Sequence, residues 1–166
     1  MIEFSEEDRV GEGQFADVFR MKDTSRVCKV YRAVGSPKWR EWAERISQEE
    51  VMAYGLAASN SGLQSYVAAC YGAVRVSRVL SARGSDISRR YLLATAFALE
   101  RVAGEEAKAV CLDRTTYPYV FKLLDALDAA GINAGDSSVF AYERPNTVKF
   151  IDITTKLGAC IVGEVV

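Results

Sequence analysis

Two glycines, an aromatic residue and a valine fall within eight residues near the start of the chain: Gly11-Glu12-Gly13-Gln14-Phe15-Ala16-Asp17-Val18. Glycines at 11 and 13 let backbone amides come close to phosphate oxygens, and Val18 can cover a purine ring. Lys29 follows eleven residues after Val18, flanked by Val27, Cys28, Val30 and Tyr31, so a strand here presents one cation among apolar neighbours. A buried strand lysine needs an anionic partner. Glu49, twenty residues further on in a helical stretch, is placed to supply one, with Met52, Ala53 and Leu56 expected on its core side and Glu50 as the register alternative. Such a pair leaves the ammonium aimed at phosphate oxygens. Asp136 and Asp152, sixteen residues apart, bracket a short hairpin and add two carboxylates.

The elements that must position these groups are legible as patterns. Residues 9–20 put the glycines between two alternating segments, and RVCKVY within 25–32 gives another strand. From Pro37, Trp39, Trp42, Ile46, Glu49, Val51, Met52 and Leu56 recur at helix-like intervals up to the breaker Ser59-Asn60-Ser61-Gly62. YVAACYGAVRVSRVL and, after the polar RGSDISRR turn, YLLATAFALERV read as paired strands. A helix over 118–130 carries the stripe Val120, Leu123, Leu124 and Leu127 and ends at Gly131 as its C-cap. SVFAY and TVKFIDI, joined by Glu143-Arg144-Pro145-Asn146, predict a hairpin, and LGACIVGEVV a further strand. This order predicts an α+β fold with a mainly antiparallel sheet.

Composition removes several chemistries. The chain has 166 residues, the size of one domain. Its 21 basic and 22 acidic residues leave a net charge of -1, which argues against nucleic acid or an acidic membrane as partner. Histidine is absent, so no histidine base, triad or metal ligand can operate. Cys28, Cys70, Cys111 and Cys160 are scattered in apolar surroundings, without zinc or redox spacing, and are expected to be buried free thiols. No apolar run reaches the roughly 20 residues of a membrane helix, and the first residues lack a leader pattern, so a cytoplasmic protein is expected.

Taken in order, these segments resemble the protein-kinase-like family over nearly the whole chain. YVAACYGAVRV is similar to that family's fourth strand, and FALERVAGEE to its fifth strand running into the hinge. The resemblance implies a kinase-like fold with an N-lobe and hinge over about 1–102, including an αC-type helix, and a reduced C-lobe over about 103–166. It places Leu99 at the gatekeeper position and Glu100, Arg101 and Val102 along the adenine edge. FKLLDALDAAGINAGD resembles the helix entering the catalytic loop, which makes Asp136 the catalytic aspartate that accepts the acceptor hydroxyl's proton. VKFIDIT resembles the strand before the magnesium-binding DFG motif, which makes Asp152 the metal ligand. ATP and Mg²⁺ are the implied cofactors, and Lys29, Glu49 and Asp136 the implied catalytic residues.

The chain also departs from the family. Ala134 replaces the histidine before the catalytic aspartate, and the metal-binding asparagine, counted five residues after Asp136, falls on Ala141. Ser137, Ser138 or a water are candidate replacements for that ligand. Ile153 and Thr154 stand for the phenylalanine and glycine of DFG. The given sequence runs only fourteen residues beyond Asp152, so the resemblance predicts no activation segment or peptide-docking helices, and a partner protein supplying that surface. In length it resembles the short effector kinases that pathogenic bacteria inject into host cells. The function expected is protein Ser/Thr kinase-like phosphotransfer to a protein hydroxyl. The alternative is a pseudokinase that binds nucleotide or a partner without transfer; a small-molecule kinase is a third reading, suggested by the GD form of the catalytic loop.

Overall fold

Period-two alternation and β-branched residues make strands of much of the first hundred residues. The computed structural model describes residues 1–33 and 36–156. The strand expected over 157–166, with Cys160, lies outside the described residues. The fold is mixed α+β, in two compact units: Met1–Gln48 with Cys70–Arg101, and Glu49–Ala69 with the chain from Val102 on.

In the first unit β1 (Ile2–Ser5), β2 (Arg9–Glu12), β3 (Ala16–Arg20) and β4 (Arg26–Tyr31) precede helix α1 (Pro37–Ser59), which belongs to this unit as far as Gln48. After it come β5 (Cys70–Ala73), β6 (Val76–Leu80) and β7 (Phe97–Glu100). Five strands form an antiparallel sheet in the order β2-β3-β4-β7-β5. The two segments expected to pair do so through β5 and β7, but neither is one continuous strand. The β5 ladder slips between Cys70 and Gly72, where φ is 82°, and β6 leaves the sheet to pair in parallel with β1. Burial drives that exchange: Phe4 of β1 stacks on Phe19 at 5.0 Å, and Phe4, Phe19, Cys28, Val30 and Val79 share one core cluster. YLLATAFALERV is strand only over Phe97–Glu100, since Leu93–Thr95 coils into a 3-10 turn.

The second unit adds β8 (Glu106–Lys108), α2 (Pro118–Ala129), β9 (Ile132–Asn133), β10 (Ser138–Phe140), β11 (Lys149–Ile151) and β12 (Thr154–Thr155). Helix α2 starts on a proline, whose missing N–H costs nothing there, and stops before Gly131, whose φ of 81° suits glycine. The Gly131 N–H donates to the Asp128 carbonyl at 3.0 Å. Val120 and Leu127 are fully buried, as the apolar stripe predicts. The expected hairpin is β10 with β11, and β8 completes a sheet of order β11-β10-β8. A second short pair, β9 with β12, is antiparallel.

The phase of α1 differs from expectation. Its buried side runs through Trp42, Ala43, Ile46, Ser47, Glu50, Ala53, Tyr54 and Ala57, while Met52 and Leu56 are 51% and 44% exposed. Trp42 sets this phase by packing edge-on against Phe15 and Tyr31, at 5.1 and 6.3 Å between ring centres. At 100° per residue the stripe then passes through Glu50, one position beyond Glu49. Among the described residues no helix is long and apolar enough to cross a membrane.

The thiols are not uniformly buried either: Cys28 is, Cys70 is half-buried and Cys111 is exposed. Burial pushes the Cys28 thiol from 9.0 up to about 12. Tyr91 is raised as well, chiefly by burial and then by the hydrogen bond it donates to Asp17. Both shifts favour the protonated folded state, so their contribution to stability is complete below the unfolded pKa values; it is lost for Cys28 as pH rises through about 9 to 12, and for Tyr91 the loss begins near 10. Chemical denaturation at stepped pH should show stability declining across that alkaline window. Alkylation of the native protein should mark Cys111 first and Cys28 only on unfolding, read by peptide mass mapping; equal labelling would mean that β4 opens at rest.

Candidate functional site

The glycine hairpin forms between β2 and β3, with Gly11 opposite Val18 and Glu12 opposite Asp17. Its turn closes with the Gly13 N–H donating to the Ala16 carbonyl at 2.9 Å. Close approach explains Gly13: a Cβ there would meet the Ala16 oxygen at 3.2 Å. At the tip, Phe15 lies 5.0 Å from Trp39 and its carbonyl accepts the Arg32 N–H at 2.9 Å.

Ladder register carries the next residues. Val18 is opposite Lys29, Lys29 is opposite Phe97, and Val27 is opposite Leu99. Directly opposed residues share a face, and so do residues two apart on one strand. Gly11, Val18, Lys29 and Leu99 therefore lie on one face of the sheet, while Phe19, Cys28 and Val30 turn their side chains to the core cluster on the other. Lys29 is 8% exposed, with its ammonium 5.5 Å from the Tyr31 ring centre. Leu99 is buried, Glu100 is half-buried opposite Arg26, and the Arg101 N–H already donates to the Ser25 carbonyl at 2.8 Å. Val102 begins the later of the second unit's two stretches of chain and is half-buried.

In the second unit, Glu50 is buried and Glu49 half-buried, the Glu49 carboxylate accepting a hydrogen bond from the Thr155 hydroxyl. The aspartates are brought together by two ladders. Ser138 is opposite Ile151 in one, and Asn133 is opposite Thr154 in the other. The loop 134–137 and the link 152–153 are the stretches between those pairings, so Asp136 and Asp152 emerge at the same end of the hairpin, both exposed. The Asp136 backbone carbonyl accepts from Lys108 Nζ at 3.1 Å. Asp152 has φ 58°, a left-handed backbone that, apart from glycine, asparagine and aspartate adopt most often.

Two expectations about metal ligands change. Ser137 and Ser138 are 0% and 1% exposed, and the Ser137 hydroxyl donates to the Ala134 carbonyl at 2.6 Å, so neither offers a ligand to an ion outside. Ala141 follows Phe140, which is opposite Lys149, so it lies at the far end of the ladder from Asp152. The count of five misplaces it because β10 begins only two residues after Asp136. Among the described residues no three acidic or cysteine side chains gather in a way that would hold a metal by themselves.

Sequence reasoning passed over a buried polar cluster on the core side of the glycine hairpin. Asp17 is 1% exposed and accepts from Arg32 Nε at 3.0 Å and from the Tyr91 hydroxyl at 2.7 Å. Arg9 completes the cluster at 3.6 Å. The Asp17 hydrogen bond is the main cause holding the Arg32 guanidinium above its ordinary pKa. Period two was the available signal, since Asp17 shares its face with the fully buried Phe19. No protein-family model matches this chain, and no curated protein matches it.

Proposed function

We propose that this chain is an ATP- and Mg²⁺-dependent phosphotransferase of protein-kinase-like fold that acts on a protein hydroxyl. The observation that carries the reading is the register that brings Asp136 and Asp152 to one end of a hairpin, exposed, with Asp152 in a left-handed backbone. Strained backbone of this kind clusters at functional sites. Support also comes from the five-stranded antiparallel sheet whose one face carries Gly11, Val18, Lys29 and Leu99.

In this reading Gly11 to Val18 supply backbone amides to the phosphates, and Lys29 supplies a cation. Leu99, Glu100 and Val102 border the adenine. A single exposed carboxylate suits Mg²⁺, which commonly takes one or two protein carboxylates and completes its shell with phosphate oxygens and water. Asp152 is that carboxylate, and the bound ion would offset triphosphate charge. Asp136 accepts the proton of the acceptor hydroxyl as its oxygen bonds to the γ-phosphorus and the bond to the ADP oxygen breaks.

The pseudokinase reading is favoured by one observation: Ser137, beside Asp152 at the ladder's end, is buried and its hydroxyl is committed to the Ala134 carbonyl, so Ser137 does not serve as a replacement ligand. Incubation with labelled ATP and Mg²⁺, alone and with a cell lysate, tests the leading reading. Wild type is expected to label itself or a lysate protein, and Asp152→Ala to lose that labelling. No transfer by wild type under either condition would overturn catalysis.

A further inference from the structure

We propose that Tyr54 is a positioning residue for Asp152: from helix α1 its phenol oxygen holds the aspartate's backbone in the left-handed turn that leaves the carboxylate exposed. The functional consequence rests on the phosphotransferase reading; the bond itself rests on geometry alone.

A left-handed backbone is unfavourable for an L-residue, though less so for aspartate than for most, so contacts from the surroundings help to hold it. Asp152 follows β11 directly, and its N–H donates to Tyr54 Oη at 3.2 Å. Tyr54 is 2% exposed, so packing around its ring holds the side chain in place. A second brace comes from the same helix, where Glu49 accepts the hydroxyl hydrogen bond of Thr155. Between the braces Ile153 is fully buried. The helix thus grips the chain on both sides of a carboxylate that stays exposed, and such support is what keeps a single metal-facing ligand in one orientation.

Tyr54→Phe removes only the hydroxyl and keeps the ring's packing. Two measurements read it: amide hydrogen exchange by NMR, and Mg²⁺·ATP titration in wild-type and Asp152→Ala backgrounds. Loss of one hydrogen bond should speed exchange at the Asp152 amide about two- to tenfold, leaving the amides of Lys149–Ile151 unchanged. The Mg²⁺·ATP dissociation constant should rise by a similar factor, about two- to tenfold, in the wild-type background, and not at all when Asp152 is alanine. Unchanged exchange at Asp152 overturns the bond, and an equal loss of affinity in both backgrounds overturns the positioning role. If wild type binds no Mg²⁺·ATP, the phosphotransferase reading falls and takes that role with it, while exchange still decides the bond. Should Tyr54→Phe not fold, wild-type exchange still decides the bond: an Asp152 amide protected against exchange supports it, and one that exchanges as fast as an exposed loop amide overturns it.

Discussion

Asp136→Asn is expected to lower phosphate transfer about a hundred- to ten-thousandfold while leaving the affinity for Mg²⁺·ATP within about twofold. Asparagine keeps the size of the side chain and removes only its ability to take a proton. The local backbone should survive the change, because the contact at this residue that holds the loop is between Lys108 Nζ and the main-chain carbonyl. The side chain is exposed, so no packing is lost. Single-turnover transfer and equilibrium nucleotide titration on the same preparation separate the two effects. A rate loss without a binding loss marks an enzyme that uses Asp136 in its chemical step. Equal transfer by both proteins would remove Asp136 from the mechanism. Absence of transfer in wild type, with partner binding unaltered by the substitution, would favour the pseudokinase reading.

The second large effect is on stability. Asp17→Ala should cost about 3 kcal/mol, because it leaves two arginines and a tyrosine hydroxyl facing a cavity where a carboxylate stood. That figure sits at the lower end of what breaking a buried pair costs, since Arg32 and Arg9 keep 24% and 35% of their side-chain surface in water and recover some hydration. For a chain of this size the corresponding fall in Tm is about 6–12 °C. Asp17→Asn should fall between the two, since the amide oxygen still accepts from Tyr91 but carries no charge for the arginines. A thermal melt showing less than about 1 kcal/mol for the alanine variant would mean that the cluster behaves as a surface ion pair.

Asp17 also shows where a linear reading stops. It lies inside the glycine segment, between Ala16 and Val18, and the phosphate chemistry of that segment drew attention to the glycines and the valine. Its own role depends on Arg32 and on Tyr91, which is 74 residues away in the chain. No local pattern announces a hydrogen bond across that distance.

What the sequence by itself determined are the features whose causes are local. The glycine hairpin, the strand around Lys29, helix α2 between Pro118 and Gly131, and the hairpin of β10 and β11 follow from turn chemistry, capping and period. A shared face for Val18 and Lys29 needs only alternation and the ladder between β3 and β4. Tertiary structure decided the phase of α1, and with it that Glu50 rather than Glu49 is the buried glutamate, because Trp42 docks on Phe15 and Tyr31 and turns the helix with it. It also decided that β6 leaves the main sheet for β1, where Phe4 and Val79 share a core. The left-handed turn at Asp152 has a tertiary contact as well: its N–H meets Tyr54, 98 residues earlier, and that hydrogen bond helps offset the cost of the conformation. Propensity and period act over a few residues, whereas phase, sheet membership and strained backbone are set by which distant surfaces bury one another.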